Sequence, residues 1–175
     1  MGCDIHLYVQ YREKERADTK YDWWQGFGSN FGDRNYTLFG ILAGLRDRNV
    51  KHSFDPKGLP PFKLCYEVEH DLYCYIRKEG ESRGDYDGPS CTLEDAKRWG
   101  RPIINDSKGE PWKTLHPDYH SHSWLTLEEL KQAFRWYKKE TGYKLNVEYR
   151  AMLKAMEVLE DNGKNEVVVV FWFDN

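Results

Sequence analysis

Glu166-VVVVFWF-Asp174 decides the fold. Four consecutive valines followed by Phe171, Trp172 and Phe173 leave no polar position on either side of an extended chain, so the stretch predicts a strand buried on both faces. Such a strand lies near the centre of a sheet. The opening of the chain offers it a neighbour. Over residues 3–11, Cys3, Ile5, Leu7 and Val9 alternate with Asp4, His6, Tyr8 and Gln10, the two-residue period of a strand with one apolar and one polar face. If the two strands pair antiparallel, Asp174 comes close to Asp4.

Helical signals lie between these strands. Asn35-YTLFGILAGLRD predicts a short helix with Leu38, Ile41, Leu42 and Leu45 on one stripe. Leu125-TLEELKQAFRWYKKETG carries Thr126 as N-cap, Glu129 three residues on to complete a capping box, Leu125 and Leu130 as a hydrophobic staple, and Gly142 as the stop. A further helix runs from Asn146 as N-cap to about residue 160, with Val147, Met152, Met156 and Leu159 along one stripe. Asn162-Gly163 then turns the chain into the last strand. Leu64-CYEVEHDLYCYI alternates for its whole length, which predicts one long strand or a hairpin turning near residues 69–71. Thr92-LEDAKRWG predicts a short helix capped through Asp95, inside an elaboration over about 77–118. The expected fold is α+β: a single domain with a mainly antiparallel sheet containing both terminal strands, and two longer helices packed on one face.

With 175 residues the chain suits one domain, and its mean hydropathy of −0.85 with 31% charged residues describes a soluble protein without a membrane span. The N-terminus lacks the charged and apolar regions of a signal peptide, so the expected location is the cytoplasm. Cys3, Cys65, Cys74 and Cys91 have no CxxC spacing, which argues against a zinc knuckle or a dithiol redox pair. A net charge of −3 disfavours bulk nucleic-acid binding. Aromatic residues are in surplus, with 7 Trp and 12 Tyr, and such rings often line ligand pockets or interfaces.

Three places carry candidate chemistry. Tyr119-HSHSW puts His120 and His122 two residues apart in an extended segment, a spacing metal sites use. Lying just before a helix, these histidines and Ser123 could instead cradle a phosphate at its N-terminus, or serve only as loop hydrogen-bond donors. At the sheet end, Asp4, His6 and Asp174 could converge with them. Third, Tyr21-DWWQGFGSNFGDRNY interleaves Trp23, Trp24, Phe27 and Phe31 with glycines. It reads as an aromatic flap that brings Arg34 to a ligand; its glycines lack dinucleotide-fold spacing. His52, His70 and His116 read as structural.

Taken together, MGCDIH, RNYTLFGILAGLR, GLP, HSHSWLTLEEL and FWFDN resemble a family of small uncharacterised proteins of bacteriophages, prophages and bacteria. The resemblance implies a phage-type context, hence a host-cell cytoplasm. It marks Asp4, His6, Arg34, Tyr36, His120, His122, Trp124, Asp174 and Asn175 as motif positions, and it supplies no reaction. Whether the protein is an enzyme stays open. The first expectation is a protein that sequesters a nucleotide-derived immune signal without a cofactor, using Trp23, Trp24, Arg34, Tyr36, His120, His122, Ser123, Trp124 and Asn175. The second is a metal-dependent phosphodiesterase in which Asp4, His6, His120, His122 and Asp174 hold a divalent metal. A third is an inhibitor of a host protein acting through the aromatic surface. Self-association and the role of residues 62–118 are left open.

Overall fold

The alternating N-terminal stretch and the apolar C-terminal stretch do pair, and the rest of one sheet is built around them. The computed structural model describes residues 2–14, 25–29, 34–47 and 49–174, and of residues 25 and 27–29 the backbone alone. In chain order the elements are β1 (Ile5–Glu13), β2 (Gln25–Ser29), α1 (Tyr36–Ala43), α2 (Tyr66–Leu72), β3 (Tyr73–Ile76), β4 (Ser90–Cys91), α3 (Leu93–Trp99), β5 (Ile103–Asn105), β6 (Pro111–Leu115), β7 (His120–Thr126), α4 (Leu127–Thr141), α5 (Val147–Glu160) and β8 (Asn165–Phe173). They fall into two compact units, one formed by Met1–Cys65 with His120–Asn175 and the other by Tyr66–Tyr119.

The first unit holds an antiparallel sheet in the order β2-β1-β8-β7, so both terminal strands lie at its centre. Their register runs from Ile5 opposite Phe173 to Glu13 opposite Asn165. Ile5, Leu7, Val9, Leu125, Val167, Val169, Phe171 and Phe173 share a core with Leu38, Phe39 and Leu42 of α1, Leu130 and Ala133 of α4, and Met152 and Met156 of α5. The α+β architecture with α4 and α5 on one sheet face is as expected. Within α5, the buried stripe is Tyr149, Met152 and Met156, while Val147 is 66% exposed. Val147 opens the helix two residues before Tyr149, which turns it about 200° away from that stripe at 3.6 residues per turn.

The second face of this sheet explains why β8 has no polar side. Segment 57–65 lies across it: Gln10, fully buried, accepts from the Cys65 amide (3.1 Å) and donates to the Lys63 carbonyl (3.3 Å), and Phe62 meets Trp124 edge-on at 5.4 Å. The Lys57 and Gly58 amides donate to Ser123 Oγ and the His122 carbonyl. On the outer edge, residues 25–29 form a strand where the sequence reading had a flap. Gly26 makes this pairing possible, because a Cβ there would stand 2.6 Å from Cys65 Sγ and 2.9 Å from the Val9 carbonyl oxygen. The flap's Trp23, Trp24 and Phe31, like Asn175, lie outside the described residues.

Capping sets the start of α4 as the sequence predicts. Thr126 Oγ1 accepts from the Glu129 amide (3.2 Å), the Glu129 carboxylate accepts from the Thr126 amide (2.9 Å), and Gly142 ends the helix at φ 76°. Thr126→Ala is expected to cost about 1 kcal/mol, measured by thermal unfolding; unchanged stability would mean the cap contributes nothing. Burial pushes the Glu129 carboxyl up. The Lys57 ammonium at 2.7 Å and the Thr126 amide outweigh it and hold the group below its ordinary value. A carboxyl lowered in the folded state stabilises above its unfolded value and loses that contribution as pH falls through the native one. Stability of Lys57→Ala should therefore fall less steeply with acid below pH 4.5 than that of the parent chain.

In the second unit a small sheet has the order β4-β3-β6-β5, parallel only between β3 and β4. Here the alternation over residues 64–76 misleads. Residues 66–72 form a helix and only 73–76 a strand. The buried Val68 and Leu72 stand four apart, a spacing that suits one helix face as well as one strand face, so the even period did not discriminate. The expected elaboration over 77–118 falls within this unit, which also takes in α2 and β3. Thr92 and Asp95 cap α3 as predicted, and Cys74, Ile76, Cys91 and Ala96 form one buried cluster of the unit. Burial, with the neighbouring Cys91, pushes the Cys74 thiol up to about 12. Cys74 should therefore resist iodoacetamide at pH 8 in the native protein and react once urea unfolds it; labelling read by mass spectrometry checks this.

Candidate functional site

The end of the first sheet where β1 begins and β8 finishes gathers the polar motif residues. Past the last strand pair the chains stay bonded, the Asp174 amide donating to the Asp4 carbonyl at 3.2 Å. Alternation turns Asp4, His6, Trp172 and Asp174 to the same sheet face, away from the helices. Asp174 Oδ1 accepts from the Asp4 amide (3.0 Å), and its Oδ2 lies 3.1 Å from His6 Nε2. The convergence of Asp4, His6 and Asp174 is thus as the strand reading expects.

Arg34, just ahead of α1, completes the rim. Its Nε and Nη2 donate to the two carboxylate oxygens of Asp4 at 2.6 and 2.9 Å, a bidentate pair with side chains 53% and 49% exposed. The guanidinium holds the Asp4 carboxyl below its ordinary value, chiefly through these hydrogen bonds. Arg34 also lies flat against Gly2, where a Cβ would stand 2.1 Å from Nη1. A side chain at position 2 would displace the guanidinium, the mobile end of a half-exposed side chain, from where it now lies. A second arginine arrives from beyond α1: Arg46 Nη2 donates to the Gly2 carbonyl at 3.4 Å. Arg46 takes φ 63°, a left-handed conformation costly for a side-chain-bearing residue, and Gly44 before it ends α1 at φ 63°. Tyr36, 39% exposed at the first turn of α1, stands close enough for its field to reach Arg34.

The two histidines of β7 do not act as a pair. Against β8 the register runs from His120 opposite Phe173 to Ser123 opposite Phe171, so β7 carries one extra residue, and Ser121 takes φ 51° in this bulge. A bulge breaks the alternation that would put residues two apart on one face. The His120 ring accordingly lies by Phe173 (6.2 Å) on the helix side, while His122 lies by Trp172 (6.5 Å) on the other. Trp172 also stacks on His6 at 5.6 Å, so the indole of the central strand stands between the imidazoles of β1 and β7. With Asp4 held by Arg34 as well, the five side chains expected to hold a divalent metal do not converge. Among the described residues no group of three or more His, Cys, Asp or Glu side chains is placed to hold one.

The expected phosphate cradle before α4 is not formed either. Strand residues separate His122 from the helix, and the Glu129 carboxylate already occupies the N-terminus. Ser123 is buried and holds the Lys57 amide, and Trp124 lies under the Lys57 ammonium at 4.2 Å. Both anchor segment 57–65. Trp124 also lines a cleft of about 450 Å³ at the opposite end of the sheet, with Arg12, Phe62, Thr126 and Glu166. Of the sequence candidates, then, the rim unites Asp4, His6, Arg34 and Asp174, with Tyr36, His120 and His122 around them. Gly2 and Arg46 were missed: Gly2 stood inside the quoted N-terminal motif, but nothing in the Arg46 neighbourhood signals a left-handed backbone. No helix among the described residues is long and apolar enough to cross a membrane. Comparison with protein-family models, with curated proteins and with solved structures found no match.

Proposed function

We propose that the protein binds a small phosphate-bearing molecule, a nucleotide-derived signal, at the Gly2–Arg34–Arg46 rim and sequesters it without turnover. The observation that carries this reading is the meeting of two exposed arginines over Gly2, one of them delivered by strained backbone. A guanidinium already fixed in plane by a bidentate carboxylate loses little freedom when it takes a phosphate oxygen as well. Both carboxylates are engaged internally, Asp4 by Arg34 and Asp174 by His6 and the Asp4 amide. Among the described residues the two guanidiniums stand with the carboxylates of Asp4 and Asp174, so the reading rests on how the arginines are placed and not on a surplus of positive charge. The held ion pairs suit a binding role, and the phage-type context that the resemblance implies favours an immune signal as the ligand.

The test is stoichiometric. The protein is incubated with a panel of cyclic dinucleotides and cyclic ADP-ribose isomers, with and without divalent metal, then heated, and the supernatant is analysed. Sequestration predicts depletion in proportion to protein concentration and release of the intact compound, since binding alone leaves bonds unbroken. Product accumulating beyond one equivalent contradicts it.

A further inference from the structure

At the end of the first sheet away from the rim, β8 outruns its neighbour. β7 stops at Thr126 opposite Val168, so residues 165–167 pair with β1 on one side and, among the described residues, meet no strand on the other. The space left where the chain turns into α4 is the cleft of about 450 Å³. Buried Val167, Val168 and Leu127 give it an apolar lining, and Phe62 and Trp124 an aromatic one. A cleft of this size, mostly apolar with a few polar groups, suits a small organic molecule.

Two of those polar groups stand out. Arg12 and Glu166 hold each other at 2.5 Å, and Glu128 is held by Lys131 at 2.8 Å. Glu160 and Lys14 line the same cleft and form no ion pair, with each other or with another described side chain. They are close neighbours all the same. Lys14 Nζ donates to the Gly163 carbonyl at 2.6 Å, and Glu160 Oε1 lies 3.9 Å from where a Gly163 Cβ would stand. Glu160 also breaks a local rule: it closes α5, where the helix dipole already places negative charge, and the last turn of α5 has no basic residue to offset it. A residue set against its own helix end at a cost points to a partner from outside.

We propose that this cleft binds a free α-amino acid with a large apolar or aromatic side chain, its ammonium at Glu160, its carboxylate at Lys14 and its side chain against Phe62 and Trp124. Opposite charges that share Gly163 as a neighbour yet do not pair match a ligand carrying both charges on one carbon. A ligand with one charge would leave one of the two side chains unanswered. Three carboxylates against two cations around the cleft disfavour a phosphate there. The site is separate from the rim and does not depend on it.

Titration of the ¹⁵N-labelled full chain with L-phenylalanine, with phenethylamine, which lacks the carboxylate, and with 3-phenylpropionate, which lacks the ammonium, tests this. Phenylalanine should shift the Trp124 indole and the Val167 amide saturably, with about 5- to 10-fold higher affinity than either analogue. Glu160→Gln should lose that factor for phenylalanine and phenethylamine and nothing for 3-phenylpropionate. Lys14→Ala should lose it for phenylalanine and 3-phenylpropionate and nothing for phenethylamine. Thermal unfolding checks that both variants fold, and Glu160→Gln should melt no lower than the parent, since it relieves the helix end. Equal affinity for all three compounds, or variants whose losses ignore the ligand's charge, would overturn the amino-acid assignment. Absence of a saturable shift with millimolar phenylalanine overturns the site.

Discussion

Replacing Trp172 by alanine is expected to destabilise the protein by about 3–5 kcal/mol, the largest effect of any single change considered. Trp172 is fully buried in the central strand. Its ring stacks on Tyr8 at 5.4 Å and on His6 at 5.6 Å, nearly parallel to both, with His122 on its other flank. Truncation would leave a cavity on the face that segment 57–65 crosses, and the flanking rings cannot close it without moving β1 or β7. Whole-protein stabilities of about 5–15 kcal/mol leave little after such a loss. Urea unfolding followed by far-UV circular dichroism measures it. A loss below about 1 kcal/mol would show that the stack contributes no more than an exposed side chain does.

Arg34→Ala should separate binding from stability. The Arg34–Asp4 pair is half-exposed, and exposed ion pairs contribute little to folding, so thermal stability should change by less than about 1 kcal/mol. Capture of a phosphate-bearing ligand should fall about 10- to 100-fold, the range for a charge-assisted hydrogen bond. Asp4 supplies an internal control. Arg34 holds its carboxyl low, so removing the guanidinium should raise it toward the ordinary value of 3.8, observable by NMR titration. An Asp4 shift without loss of capture would leave the pair intact as a tether of the N-terminus and remove Arg34 from the binding account.

Much of the fold was legible because its signals are local or periodic. Thr126 with Glu129, Thr92 with Asp95, and Asn146 each announce a helix start through a side chain that reaches its own backbone. The doubly apolar β8 and the alternating β1 announce a central pair, and from their antiparallel register the meeting of Asp4, His6 and Asp174 follows. What was illegible depends on backbone detail or long-range approach. A single extra residue at Ser121 sends His120 and His122 to different sides and removes the metal set that their spacing suggested. The even spacing of Val68 and Leu72 concealed a helix. Arg46 reaches Gly2 only because the backbone beyond α1 turns left-handed at Gly44 and again at Arg46 itself.

Where a ligand binds can be read directly from amide and side-chain shifts of ¹⁵N-labelled protein titrated with cyclic di-AMP. The account predicts saturable shifts at the Gly2 and Asp4 amides and the Arg34 Nε–H, with the Trp124 indole and the Val167 amide in the opposite cleft unmoved. Shifts confined to Arg12, Trp124 and Thr126 around that cleft, with the rim silent, would contradict it.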